Sequence, residues 1–255
     1  MKLHANVFGE GTPFLILHGF LGMGDNWKTL GKKISGEGYQ VHLIDQRNHG
    51  RSPHSNEFSY DILAEDLLRY CIDNELEDIV LLGHSMGGKT AQLFAVKHPR
   101  IIKKLIIVDI GIKYYPLHHQ DILDGLDALD FEELKTRGEV DLALSSYVKD
   151  AGVRMFLMKN LYWKEKGKLG LRVNLEVLIK NASEIGVALP KDTGYENETL
   201  FLKGEKSNYI LKEDELLIKK QFPKAEIIEI SNAGHWLHAE NPTDFFEVVM
   251  EFVKK

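Results

Sequence analysis

Short unbroken apolar runs, each closed by a polar turn that usually carries glycine, constrain this chain most. Phe14-Leu15-Ile16-Leu17, Val41-His42-Leu43-Ile44, Ile79-Val80-Leu81-Leu82 and Leu105-Ile106-Ile107-Val108 are too short for buried helices and are rich in β-branched residues. Runs of that kind suit strands buried on both faces, and longer helix-period segments separate them. The alternation predicts an α/β fold with a mostly parallel sheet flanked by helices. From about Tyr114 to Tyr195 the pattern turns to helical periods, as in Leu142-Ala143-Leu144 and Met155-Phe156-Leu157-Met158. This predicts a helical cap over 114–195 inserted into a core formed by 1–113 and 196–255. The strand pattern returns at Thr199-Leu200-Phe201-Leu202 and Ala225–Ile230, and Phe245-Phe246-Glu247-Val248-Val249 closes the chain as a packed helix.

The third run leads into Gly83-His84-Ser85-Met86-Gly87, followed by Gly88-Lys89-Thr90-Ala91. Gly-x-Ser-x-Gly between a buried strand and a helix is a nucleophile elbow, a turn so tight that only small flanking residues avoid clashing. The turn lifts Ser85 out of the sheet and aims the following helix's N–H groups at a reacting oxygen. A weak alcohol needs a base, and His235 in Asn232-Ala233-Gly234-His235-Trp236, just after the last strand, is the best placed of the eleven histidines. His18-Gly19-Phe20-Leu21-Gly22 follows the first run and matches the loop that lends an N–H to an oxyanion hole, which the Phe20 and Met86 N–H groups would form. Leu21, His84, Trp163 and Trp236 are the expected substrate contacts, although the cap aromatics equally suit a helical core face.

No metal or other cofactor is expected. His235 and His238 lack a matching carboxylate or cysteine set. His84 should pack beside the elbow, His42 and His49 should be structural, and His118 and His119 should be solvated or partly packed in the cap. Asp45 and Arg47 should satisfy backbone groups, and Lys89 and Lys206 should be solvated.

The segments Asp45-Gln46-Arg47-Asn48-His49-Gly50-Arg51-Ser52, Gly83–Lys89 and Gly234-His235-Trp236-Leu237-His238-Ala239-Glu240-Asn241-Pro242 resemble the YbfF-like esterases of the α/β-hydrolase superfamily. Leu157–Leu161 and Arg172–Leu175 extend the likeness weakly into the cap. Asn48, where the wider superfamily has glycine, points to that subgroup and tolerates a left-handed backbone. The resemblance implies an α/β-hydrolase fold and hydrolysis of acyl esters or thioesters.

It also exposes a departure. Most of the superfamily carries the triad acid in a Gly-x-x-Asp turn before the histidine strand, and here that turn reads Gly204-Glu205-Lys206-Ser207. Serine cannot hold a charge beside an imidazolium, so Glu205 or Asp214 substitutes nearby, or the acid comes from elsewhere. Asp109 ends the strand after the nucleophile helix, on the sheet edge where catalytic groups of open α/β sheets gather. Some members of the resembled group take their acid from that strand, and Asp109 is therefore assigned to His235.

The 32 basic and 38 acidic residues are interleaved and sum to −6, leaving no nucleic-acid footprint. No apolar run approaches the roughly 18 residues of a membrane span, the N-terminus lacks the pattern of a secretory signal, and Cys71 is the single cysteine. These features predict a soluble cytoplasmic protein with no membrane partner whose ligand is a small-molecule acyl ester or thioester. They leave its oligomeric state open. Carbon–carbon bond hydrolysis or cofactor-free perhydrolysis could run on the same residues, and a non-catalytic binding protein of this fold is the reading from another class.

Overall fold

A computed structural model describes residues 1–117 and 119–255. The first half of the core contains β1 (Ala5–Phe8), β2 (Thr12–Leu17), α1 (Lys28–Ser35), β3 (Tyr39–Ile44), α2 (Tyr60–Asp73), β4 (Ile79–His84), α3 (Met86–Lys97) and β5 (Ile102–Val108). The chain then leaves the sheet for α4 (Gln120–Asp127), α5 (Arg137–Leu144), α6 (Ala151–Met158), β6 (Leu161–Glu165), β7 (Lys168–Leu171) and α7 (Leu175–Lys180). It returns through β8 (Thr199–Gly204), α8 (Asp214–Gln221), β9 (Ala225–Ile230), α9 (Leu237–Glu240) and α10 (Pro242–Lys254).

Among the described residues seven strands form one sheet in the order β1-β3-β2-β4-β5-β8-β9. Each apolar run read from the sequence is one of its parallel strands. Side chains alternate across them: Leu15, Leu17, Leu81, Leu105 and Ile107 join a core with α2 and α3, whereas Phe14, Ile16, Val80, Leu82, Ile106 and Val108 join one with α1 and α10. Apolar residues at successive positions are therefore required, because both faces are covered.

Two elements depart from the expectation. β1 pairs antiparallel with β3 at the sheet edge, and its half-wet Ala-Asn-Val-Phe has no apolar run to announce it. The excursion between β5 and β8 is not wholly helical, since β6 and β7 form an antiparallel hairpin turning at Gly167, whose φ is +81°. Its Lys164-Glu165-Lys166-Gly167-Lys168 tip hides a strand pair from a periodicity reading. No helix among the described residues is long and apolar enough to cross a membrane.

The strand order reverses between β2 and β4, the position at which open α/β sheets gather ligands at their carboxyl ends. Leu17 is level with Gly83, His84 with Val108, Val108 with Leu202 and Gly204 with Ile230. The loops bearing Gly19–Leu21, Ser85, Asp109, Ser207 and His235 thus leave one edge side by side.

Candidate active site

Ser85 stands between β4 and α3 with φ 51° and ψ −115°. That left-handed backbone costs a non-glycine residue about 1–3 kcal/mol and persists because its surroundings fix it. A Cβ on Gly87 would lie 2.4 Å from the Leu17 carbonyl oxygen, so α3 reaches β2 only with glycine there. A Cβ on Gly19 would lie 2.9 Å from His84 Nδ1 and 3.3 Å from Ser85 Cβ, which measures how closely the first loop approaches the serine. Among the described residues neither the Phe20 nor the Met86 N–H is taken by a protein acceptor.

Two buried histidines brace that loop. His49 Nε2 accepts the Leu21 N–H at 3.3 Å while its Nδ1 lies 2.9 Å from the Arg47 carbonyl. His18 Nε2 accepts the Gln46 N–H at 3.0 Å. Burial lowers these imidazoles to pKa values of about 3 for His49 and about 4 for His18, so both are neutral and each can accept at one nitrogen while donating at the other. Asn160, from the segment between β5 and β8, donates to the Leu21 carbonyl at 2.7 Å.

His235 Nδ1 lies 2.7 Å from Asp109 Oδ2, with the imidazole 21 % exposed and the carboxylate fully buried. Asp109 also accepts the Gly204 N–H at 3.1 Å and the Ser207 hydroxyl at 2.5 Å. The serine that breaks the usual acid turn is thus a donor to an acid held on β5's end. The two nearby alternatives point elsewhere: Asp214 pairs with Lys113 at 2.5 Å, and Glu205 accepts the Asn232 N–H at 2.6 Å. The Tyr209 ring stacks on His235 at 4.0 Å, and Glu240 grips the histidine loop through the Gly234 and Trp236 N–H groups at 2.7 and 3.2 Å.

Ser85, His235, Phe20, Leu21, His84 and Trp236 line one cleft of about 570 Å³. Trp163 does not line it. It projects from the hairpin and is 53 % exposed, so its expected substrate contact is withdrawn. His84 Nε2 donates to the His235 carbonyl at 2.8 Å, and His238 stacks on Trp27 at 3.8 Å. Burial lowers both histidines, His238 to about 3. His119 lines the cleft as well, and His118 lies outside the described residues.

The expectation for Lys89 is also corrected. It is 3 % exposed, donates to the Lys113 carbonyl at 2.8 Å, and is lowered by burial to about 7. Its place on a helix packed against β5 outweighs the usual solvation of lysine. Lys206 is exposed as expected. Asp45 accepts the Gly24 and Arg51 N–H groups at 2.6 and 2.8 Å, whereas Arg47 chiefly pairs with Asp66, at 2.5 Å. Ser207, Tyr209, Asn160 and His18 escaped the sequence reading. Only the misplaced serine left a signal there.

A serine on a strand–turn–helix elbow, beneath a reversed-order parallel sheet edge, defines the α/β-hydrolase class of protein. Residues 12–140 match the family model described as alpha/beta hydrolase fold. A Danio rerio protein, sn-1-specific diacylglycerol lipase ABHD11, is 35 % identical over 254 residues, covering 96 % of this chain and 80 % of that protein. Esterase YbfF of Escherichia coli strain K12 is 29 % identical over 245 residues, covering 95 % and 93 % of the two chains. The solved structure of a marine microorganism esterase superposes with a TM-score of 0.95 at 42 % identity and covers 98 % of this chain and 99 % of that one. The chain belongs to the α/β-hydrolase family, among relatives that include the YbfF-like esterases.

Proposed function

We propose that this protein, a carboxylic ester hydrolase, cleaves acyl esters or thioesters through a covalent acyl-enzyme on Ser85. His235 takes the proton from the Ser85 hydroxyl as the oxygen attacks the carbonyl carbon. Asp109 holds the imidazole in the tautomer that accepts at Nε2 and steadies the imidazolium that forms. The Phe20 and Met86 N–H groups receive the oxyanion, each donor worth about 3–4 kcal/mol in the transition state. The proton passes to the leaving group, and water then attacks the acyl carbon by the same route in reverse. The segment 114–195 serves as a cap, since Phe156 and Leu157 form part of the cleft wall. Cys71, buried and without a disulfide, fits the cytoplasmic setting.

The observation carrying this reading is the 2.7 Å contact of His235 with a fully buried Asp109, in the cleft that Ser85 also lines. Asp109→Asn should lower kcat by about four powers of ten while Asp214→Asn changes it only a few-fold. Steady-state kinetics on an activated ester check this, and the reverse ranking would move the acid to the later turn.

A further inference from the structure

Ser85 lies at the junction of two very unequal spaces. The cleft of about 570 Å³ opens on one side, walled by Leu21, Trp27, Ile122, Phe156 and Trp236. On the other side is a pocket of about 20 Å³ bounded by Met86, Ile110, Tyr115, Leu117 and Ile185. Ser85, His119 and Tyr209 line both, but His235 lines the large cleft and not the small pocket.

The small pocket is stiffly built. The Tyr115 hydroxyl donates to the Tyr209 carbonyl at 2.6 Å and accepts the Gly111 N–H at 2.8 Å, while the Tyr115 N–H donates to the Gly186 carbonyl at 2.8 Å. Ile110 is 4 % exposed and presses on α3, its Cγ2 only 2.4 Å from where a Cβ on Gly88 would stand. Roughly 10–15 Å³ of such space holds one water-sized group, so the pocket receives a methyl group without rearrangement.

We propose that this asymmetry fixes which end of the ester goes where: the acyl group enters the small pocket and the leaving group fills the large cleft. The substrates are then short-chain acyl esters, above all acetyl esters, of bulky apolar alcohols or thiols. The assignment rests on the serine-hydrolase reading and follows from the path of one proton. The bond from Ser85 Oγ to the acyl carbon forms and the bond from that carbon to the leaving oxygen breaks. The serine proton, carried by His235, must end on that oxygen. The leaving oxygen therefore faces the space that His235 lines, and the acyl chain is directed to the space it does not. A longer acyl chain must displace a doubly hydrogen-bonded tyrosine or a packed isoleucine.

Octyl acetate and methyl nonanoate test the orientation, because they are isomers of equal atom content with the short arm on opposite sides of the ester. The purified protein should hydrolyse octyl acetate with a kcat/KM about tenfold or more above that of methyl nonanoate. Ile185→Ala, which trims the half-buried outer wall, should narrow that ratio, and Phe156→Ala in the large cleft should slow octyl acetate more than methyl acetate. Equal rates, faster cleavage of methyl nonanoate, or cleavage of neither, with a fluorophosphonate still attaching to Ser85, would overturn the orientation and leave the serine reading standing. Failure of Ser85 to take the label would overturn both.

Discussion

Asp109 is held by three donors, the Gly204 N–H, the Ser207 hydroxyl and His235 Nδ1, in full burial. A carboxylate so surrounded keeps its direction, which the orienting role proposed for it needs. Ser207 is a positioning residue in this arrangement, acting on the imidazole through Asp109. Ser207→Ala removes a hydrogen bond to a charged group, worth about 1.5–3 kcal/mol. Part of that loss should appear as a roughly tenfold lower kcat with KM nearly unchanged, read from initial rates across substrate concentration. A raised KM at constant kcat would show Ser207 contacting substrate instead. The serine was visible in the sequence only as an acid gone missing. What it does there depends on β5 and β8 being neighbours, which no local pattern states.

The β4–Ser85–α3 unit sets the precision of the site. Gly87→Ala would drive a methyl to 2.4 Å from the Leu17 carbonyl and part α3 from β2. The expected loss is about 1–3 kcal/mol of stability, with ester hydrolysis falling more steeply than the melting temperature suggests, because Ser85 and the Phe20 loop move apart. Gly167→Asn is the control at a left-handed glycine with nothing within 4 Å of its missing Cβ. Asparagine tolerates that backbone, so stability should stay within about 0.5 kcal/mol. Thermal melts and rates on both variants check the contrast. The elbow was legible because its two glycines stand four residues apart in one short string, where a Cβ on Gly83 would meet the Gly87 carbonyl at 2.2 Å. The β6–β7 hairpin was not, since its charged tip and few buried residues mimic a polar helix face, and β1 was hidden by its exposure at the edge.

At the scale of the whole molecule, several histidines are buried neutral around the sheet's carboxyl edge. His18 is lowered to about 4, and His49 and His238 to about 3, each chiefly by desolvation. In the unfolded chain these groups titrate near 6.5. Between that value and the folded ones the unfolded state binds more protons, so their contribution to stability is complete above about pH 6.5 and is lost as the pH falls. By pH 5 each costs roughly 2 kcal/mol, and three together approach the ~5–15 kcal/mol that holds a domain folded. Melting temperature should therefore drop steeply from pH 7 to pH 5, and a flat profile to pH 4 would contradict the burial of neutral imidazoles. The sheet and its parallel strands could be read from the apolar runs; the second job of His18 and His49, bracing the Phe20 loop, could not, because it depends on contacts 28 residues apart.

The account stands on Ser85 as an activated nucleophile. Treating the protein with a fluorophosphonate and mapping the adduct by mass spectrometry tests this directly. The adduct should fall on Ser85, and labelling should be lost in His235→Ala. An adduct on another residue, or ester hydrolysis undiminished in Ser85→Ala, would contradict it.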